Sequence, residues 1–437
     1  MTNSPITELT HCVACNGSNL EMFLDLSSQP LANNYHDGSG GGDEYPLGLN
    51  LCRECFHAQL TYSVDPEVMF SHYLYQSGTN QTFRDYCDWF AQYVTDTVPF
   101  DPAKHPGRIT VLDIACNDGT QLDSFKKLGW NTQGVDPAAN LAAIAKLKGH
   151  DIIVDFWPSE EYKKDTGINQ RKPTVIIAQN VLAHTPDPLI FLQGCREHLD
   201  AGGVVFIQTS QCNMFANNEF DTVYHEHISF FGVGSMDVLA SRAGLRVVAV
   251  EKTPIHGESY LFTLCKDVEY QDFNLIGSPT VQLFSDSWYK NYTLDTNSFF
   301  KVLTEEVEQG RENVEFYRDF AANADKVLDD LEDAIKEYRD KGITVVGYGA
   351  AAKGMTVLNA RNIQLDWIVD DAPLKQGLFT PGTNTEIKDR SSLDIDEEIV
   401  LIPLAWNFFD EIKRNVEEIR SDKPTTYLKY FPRLSVE

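Results

Sequence analysis

The stretch V-L-D-I-A-C-N-D-G-T-Q-L, residues 111–122, and the W-N-T-Q-G-V-D-P that follows at 130–137 decide the fold. Ile109 to Ile114 is a short apolar run of the kind a buried parallel strand needs. A loop with Asn117, Asp118 and Gly119 follows it. Leu122, Phe125 and Leu128 then recur at helical spacing, and a second apolar run ends at Asp136. Strand, tight loop, helix and strand, with a terminal acid about 20 residues on, is the arrangement of a nucleotide site. The loop brings backbone close to the ligand, and the acid accepts hydrogen bonds from ribose hydroxyls.

The parallel pattern continues downstream. Asp151 to Phe156 reads as a short strand ending in an acid and an aromatic. Thr174 to Asn180 reads as another and leads into Val181 to Asp187. A helix is expected over Leu189 to Leu199, stopped by Gly202-Gly203, with a fifth strand over Val204 to Thr209. A helix over Met236 to Ala243 and apolar runs at Arg246–Val250 and Tyr260–Cys265 complete the unit. In open α/β sheets the ligand lies beyond the carboxyl ends of the strands. Asp113, Asp136, Asp155, Phe156, Asn180 and His184 all fall there.

The chain has 437 residues, enough for two or three domains. Its 64 acids against 36 bases give a net charge of −28, which argues against nucleic acid or an anionic membrane as the main partner. No apolar run reaches the roughly 18 residues of a spanning helix. The N-terminus lacks a signal-like segment, so a cytoplasmic, soluble protein is expected. Four of the nine cysteines form two C-x-x-C pairs, Cys12/Cys15 and Cys52/Cys55. Four thiolates so paired suit a tetrahedral structural zinc with no position open for water.

Two further stretches carry chemistry. Val223 to Phe231 reads V-Y-H-E-H-I-S-F-F and sets a phenol, a carboxylate and an imidazole within four residues at Tyr224, Glu226 and His227. A general base needs a group tunable toward neutrality, and these types fit. The spacing is not H-E-x-x-H, so a zincin site is not expected. In the last third, a long acidic helical pattern (Ser298 to Asp340) precedes a second strand–loop–helix unit. Gly347-x-Gly349-x-x-Ala352 and Lys353 are followed by a strand ending at Asp370-Asp371. Read by itself this unit would hold NAD; Lys353 in the turn suggests phosphate contact instead.

Asp113-x-Ala115-x-Asn117-x-Gly119 resembles motif I of class I S-adenosylmethionine (SAM) methyltransferases, with Ala115 and Asn117 in two glycine positions. Over nearly its whole length the chain resembles the SAM-dependent sugar C-methyltransferases. The shared motifs are the paired C-x-x-C, Y-x-Y-x-S at Tyr73–Ser77, C-N-D-G at Cys116–Gly119, N-V-L-A-H at Asn180–His184 and Y-H-E-H-x-S-x-F at Tyr224–Phe231. To these are added G-Y-G-A-x-A-K-G at Gly347–Gly354 and V-D-D-x-P-x-K-Q-G-x-x-T-P-G-T at Val369–Thr383.

The resemblance implies an α/β chain in three parts: a zinc-binding domain over 1–72, a class I SAM methyltransferase domain with a Rossmann-like sheet over 73–270, and a Rossmann-like sugar-nucleotide domain over 271–437. It implies SAM and a structural Zn2+ as cofactors. It also implies methylation of a carbon alpha to the ketone of a nucleotide-linked deoxysugar, dTDP-linked, by a monomer. Tyr224 and His227 become the proton-abstracting and orienting candidates, with Glu226 tuning the pair; the choice between them leans to His227, with His184 the next candidate, and Tyr75 and His184 face the sugar. Ser77 joins Asp113, Ala115, Asn117, Gly119, Asp136, Asp155, Phe156 and Asn180 as SAM contacts. Gly347, Gly349, Lys353 and Lys375 become substrate contacts. Three departures bear on substrate or cofactor: Ala115 for Gly, His256-Gly257-Glu258-Ser259 for H-G-G-S, and an insertion over Gln271–Thr296. Transfer to nitrogen or oxygen of a related sugar, or binding without catalysis, are the alternative readings.

Overall fold

The computed structural model describes residues 5–40, 42–70, 78, 81–98, 109–165, 172–210, 212–255, 257–267, 295 and 297–437. Tyr75, Ser77 and His256, and all but Asp295 of the Gln271–Thr296 insertion, lie outside the described residues.

The N-terminal strands are β1 (Ile6–Glu8), β2 (Leu20–Pro30), β3 (Glu44–Cys52), β4 (Ala58–Leu60) and β5 (Tyr62–Val64). β2, β3 and β4 form an antiparallel run, and β1 pairs with β5. Cys52 ends β3, so the second cysteine pair is built into the β3–β4 turn.

The central sheet contains β6 (Thr110–Ile114), β7 (Asn131–Val135), β8 (Asp151–Ile153), β9 (Val175–Gln179) and β10 (Val204–Ser210). A short strand β11 (Ser229–Phe230) leaves this sheet, and β12 (Leu245–Thr253) and β13 (Ser259–Lys266) close it. The strand order is β12-β13-β10-β9-β6-β7-β8, with β13 antiparallel between its neighbours and the other pairings parallel. The winding reverses between β6 and β9, which opens a crevice at their carboxyl ends. β6 and β10 are buried along nearly their whole length, because helices cover both faces.

The helix after β9 spans Pro188–His198, with the Asp187 carboxylate capping Ile190 N–H at 3.0 Å and Pro188 in the first turn. It stops before the expected Gly202-Gly203. Leu199 turns inward in extended backbone, and Lys266 Nζ takes its carbonyl at 2.7 Å. The long helical pattern of the last third is two helices, Asn297–Glu308 and Val314–Asp340, separated where Gly310 adopts φ 87°. The second is capped by Asn313 and buries Tyr317, Phe320, Ala324, Leu328, Leu331 and Ile335 along one stripe.

The C-terminal sheet comprises β14 (Thr344–Tyr348), β15 (Trp367–Val369), β16 (Ile387–Lys388), β17 (Ile399–Pro403), β18 (Thr425–Lys429) and β19 (Ser435–Val436). Its order is β16-β15-β14-β17-β18-β19, parallel except for β19. One core cluster joins Leu24, Leu47 and Leu60 of the N-terminal strands to Phe220 and Ile228, and to Leu328, Leu358 and Leu404 of the C-terminal unit. The segment between β10 and β12 is therefore packed by the other two parts of the chain. Among the described residues, no helix is long and apolar enough to cross a membrane.

Gly119 sits at φ 77° after β6, and a Cβ there would lie 2.9 Å from both the Ala145 Cβ and the His150 ring. Gly119→Ala should cost about 2 kcal/mol or more, through left-handed backbone and overpacking together. Urea unfolding of the two proteins measures this, and an unchanged midpoint would contradict the loop geometry.

Candidate active site

The loop after β6 is held to β7 by its own backbone. Ala115 N–H and Cys116 N–H reach the Val135 carbonyl at 2.8 and 3.3 Å. Asn117 N–H donates to Asp136 Oδ2 and Ala138 N–H to Asp136 Oδ1, both at 2.8 Å. Ala115, Asn117 and Gly119 all have positive φ, at 59°, 52° and 77°. That explains why glycine is the favoured residue at the first two positions: Asn tolerates this conformation, whereas Ala at 115 carries its steric cost. Asp118 turns away from the crevice, bonding Thr120 Oγ1 at 2.7 Å and Gly78 N–H at 3.1 Å.

Asp113 and Asp136 are both buried here. Burial pushes the Asp113 carboxyl well above the usual range, and the nearby Asp136 adds to the effect. Asp136 is raised by burial but opposed by the two N–H groups it accepts. Asp155 follows β8 and spends its oxygens on Phe156 N–H at 2.9 Å and Ser159 Oγ at 2.7 Å. Phe156 beside it is 37% exposed, an aromatic face open at the end of β8. Asn180 follows β9 with φ 53°, and its Oδ1 and the Gln179 Oε1 are buried without hydrogen-bond partners among the described residues. A buried acceptor with no partner is costly unless a ligand donor satisfies it. A carboxylate for ribose, an open aromatic for adenine and spare acceptors for an ammonium together fit SAM.

The Y-H-E-H segment lies between β10 and β12. Tyr224 Oη and His227 Nε2 are 3.0 Å apart, and His227 Nδ1 is 2.8 Å from the Thr222 carbonyl. A carbonyl only accepts, so Nδ1 carries a proton and, in the neutral ring, Nε2 accepts from the Tyr224 hydroxyl. The sequence reading set Tyr224 and His227 as the proton-abstracting and orienting candidates, with Glu226 tuning the pair; the structure shows the hydrogen bonds these groups make. The lone pair of His227 is covered by Tyr224, and the acceptor that orients the ring is a backbone carbonyl. Glu226 Oε1 instead accepts from Asn33 Nδ2 at 2.6 Å. His184 packs edge-on against His227 with ring centroids 4.9 Å apart. Its Nδ1 is buried although the residue keeps some surface, and burial pushes its pKa down to about 4, opposed by a hydrogen bond to the Glu226 backbone. A neutral His184 leaves His227 free to take positive charge.

All three parts of the chain hold this segment. Ser229 and Phe230 pair as β11 with Gln59 and Ala58 of β4, and His225 Nε2 bonds the Tyr45 carbonyl at 3.1 Å. From the C-terminal unit, Thr356 Oγ1 donates to the Val223 carbonyl at 3.1 Å. Trp406 Nε1 and Tyr430 Oη reach Asp221 Oδ2 at 2.6 and 3.1 Å. Sequence reasoning missed Asn33, Thr222, Thr356, Asp221 and Trp406; none carries a local signal, since their partners lie far along the chain or are backbone atoms.

Of the expected substrate contacts, Gly347 lies in the sheet itself. It sits inside β14 with both ladders made, and a Cβ would meet Ile368 and Leu404 at 2.9 Å, so it serves sheet packing. Gly349 turns at φ 91° against Ala405. Lys353 Nζ lies 3.7 Å from Glu219 and 4.7 Å over the Trp406 ring. Lys375 Nζ bonds the Ala350 carbonyl at 2.7 Å and lies over Tyr35. The acids after β15 are already engaged. Asp370 accepts Ala350 N–H at 2.7 Å and Ala372 N–H at 2.8 Å, and Asp371 is forked by Arg390.

The four cysteines gather their sulfurs within 4.8 Å, with Cys12–Cys55 at 3.6 Å and Cys15–Cys52 at 3.5 Å. Tetrahedral zinc with bonds near 2.3 Å requires sulfur separations of about 3.8 Å. Backbone N–H groups of Cys15, Gly17 and Glu54 point at the sulfurs of Cys12, Cys15 and Cys52 at 3.3–3.4 Å, stabilising thiolate. The donor set fits a structural zinc and offers no open position.

Family models match this chain in three stretches: a zinc binding domain over residues 12–70, a methyltransferase domain over 80–250 and a C-methyltransferase C-terminal domain over 288–432. A curated relative, C-methyltransferase NovU from Streptomyces niveus, is 26% identical over 422 residues, covering 94% of this chain and 93% of NovU. A ubiquinone biosynthesis O-methyltransferase from Histophilus somni (strain 2336) is 32% identical over 104 residues, 23% of this chain and 44% of that protein. Magnesium protoporphyrin IX methyltransferase from Synechocystis PCC 6803, solved with bound SAM, aligns over 42% of this chain and 79% of its own at 12% identity and a TM-score of 0.30.

Three outcomes follow from this geometry. Metal analysis should find about one zinc per chain, and Cys12→Ser should lower both zinc content and thermal stability; full stability with four free thiols would remove the site. Asp136→Ala should weaken SAM binding by about 1.5–3 kcal/mol in calorimetry, since ribose hydroxyls lose a charged acceptor; unchanged affinity would place the cofactor elsewhere. The His184 imidazole protonates below about 6.5 when unfolded and near 4 when folded. The unfolded state then binds more protons in that window, so stability falls as pH drops from 6.5 to 4. His184→Gln should flatten that slope by up to about 1.4 kcal/mol per pH unit, read from denaturant melts across the window; identical slopes would show that His184 stays protonated.

Proposed function

We propose that this chain, with its three family-model matches and its likeness to a C-methyltransferase over 94% of its length, is a SAM-dependent C-methyltransferase that methylates the carbon alpha to the ketone of a nucleotide-linked deoxysugar. The observation that carries the reading is the chain of contacts from Tyr224 Oη to His227 Nε2 and from His227 Nδ1 to the Thr222 carbonyl. Carbon is not nucleophilic until a proton leaves it, so transfer to carbon calls for a base where transfer to a hydroxyl or amine needs less. A phenol near its reference pKa of about 10 is already protonated and is a base only if its own proton moves on. In this geometry the Tyr224 proton passes to His227 Nε2 as Tyr224 Oη takes the proton from the sugar carbon. The positive charge that results on His227 is supported by Thr222, with neutral His184 beside it.

SAM, when bound, supplies the electrophilic methyl to the carbanion. Asp136, Asn180 and Phe156 hold it at the carboxyl ends of β7, β9 and β8, next to the segment that carries the base. The nucleotide would lie on the C-terminal unit, where Lys353 and Lys375 flank the Ala350–Ala352 turn with a dTDP-type diphosphate as counter-charge. Tyr75 and Ser77 are proposed to complete the sugar and SAM sites from the segment before the helix Gln81–Thr97. Division near residues 72 and 270 is the domain scheme consistent with this division of labour.

The test is deuterium exchange at the alpha carbon of a nucleoside-diphosphate 4-keto-6-deoxyhexose with S-adenosylhomocysteine in place of SAM. Tyr224→Phe and His227→Asn should each slow exchange and turnover by roughly 10²–10⁴-fold with SAM affinity retained. Wild-type exchange in both variants would move the base elsewhere.

A further inference from the structure

Gln59 is fully buried in β4, and its side-chain amide is used at both ends. Its Oε1 accepts Val13 N–H at 2.8 Å, and its Nε2 donates to the His11 carbonyl at 3.0 Å. His11 and Val13 flank Cys12, so one amide grips the first cysteine turn from both sides. The same residue stands opposite Ser229 in the β4–β11 pairing, two positions from His227. The next residue in β4, Leu60, donates its N–H to the Ile228 carbonyl at 2.9 Å. Without the Gln59 amide, the Val13 N–H and the His11 carbonyl on either side of Cys12 would lose the partner that ties them to buried β4, and the cysteine turn would no longer be fixed to that strand. A shift of β4 is carried directly into β11, because their ladder shares backbone hydrogen bonds.

We propose that Gln59 is a positioning residue for the base, joining the four-cysteine site to the strand that anchors His227, so that zinc occupancy and the Tyr224–His227 geometry are coupled. This rests on the reading of Tyr224 and His227 as the base and of the cysteines as a zinc site. The coupling is reciprocal: whatever loosens the base segment weakens zinc, and whatever removes zinc disturbs the dyad. The zinc module is then a working wall of the active site as well as a staple.

The experiment uses full-length, zinc-loaded protein labelled with 13C at tyrosine Cζ. The Tyr224 signal is the one missing from Tyr224→Phe. Gln59→Met removes both hydrogen bonds at nearly constant volume. Chelator competition should show zinc held about tenfold or more weakly, the usual size of an outer-shell effect. At saturating zinc the Tyr224 signal should move and its pH titration shift by about 0.5 unit or more, a change of the size a single rearranged hydrogen-bond partner makes, with SAM affinity within about twofold of wild type. Weaker zinc with an unmoved Tyr224 titration would confine Gln59 to the metal site and overturn the coupling; so would a general shift of all tyrosine signals with loss of SAM binding.

Should Gln59→Met not accumulate as folded protein, Gln59→Glu decides. It keeps the acceptor for Val13 and regains the donor only when protonated, so the Tyr224 signal should sit at its wild-type position at low pH and leave it as pH rises. A signal that follows wild type at every pH overturns the proposal. Failure of the base reading is separate: it would appear as wild-type deuterium exchange in Tyr224→Phe, whatever the NMR shows.

Discussion

The hydrogen bond from His227 Nδ1 to the Thr222 carbonyl is the constraint on which the site depends. It commits one ring nitrogen as a donor and leaves the other as an acceptor for Tyr224. A carboxylate in that place could itself take a proton; a backbone carbonyl cannot, so the tautomer is set by chain conformation. The price of this arrangement is that Thr222 and His227 must be held five residues apart in a tight, buried turn. That requirement accounts for much of the architecture, because a segment of this length has no core of its own.

The turn is held by interfaces. β4 pairs with β11, Thr356 bonds Val223, and Asp221 receives Trp406 and Tyr430. The first contact comes from the N-terminal sheet and the others from the C-terminal unit, and the hydrophobic cluster that joins the two runs through Phe220 and Ile228. Buried polar groups such as Asp221 are tolerable because they are paired across those interfaces. His227 of the dyad is buried and Tyr224 partly so.

The cofactor half of the site was legible along the chain because its logic is local. An apolar strand, a loop forced to positive φ and an acid at the next strand end lie within 30 residues, and periodicity exposes each of them. The paired C-x-x-C turns are legible for the same reason, since each contributes two sulfurs from a single turn. The helix expected over Leu189–Leu199 forms over Pro188–His198, while the break at Gly310 in the long pattern of the last third was not legible. The stop at Leu199 is set by burial and by the Lys266 side chain, while Gly202 and Gly203, the local stop signals, lie beyond it. At Gly347 a glycine that lets Ile368 and Leu404 approach looks the same in sequence as one that admits a phosphate.

The sequence by itself determined the two wound sheets, the cysteine cluster, the crevice-facing acids of the central sheet and the presence of a phenol, a carboxylate and an imidazole after its fifth strand. Those follow from residue type and short-range spacing. Only the tertiary structure decided how these groups are arranged: Tyr224 in front of His227, Glu226 turned to Asn33, and His184 edge-on to the His227 ring. Proton position depends on which acceptor lies within 3 Å of each nitrogen, and that is fixed by contacts spanning up to 193 residues of chain. Spacing along a sequence carries no record of them.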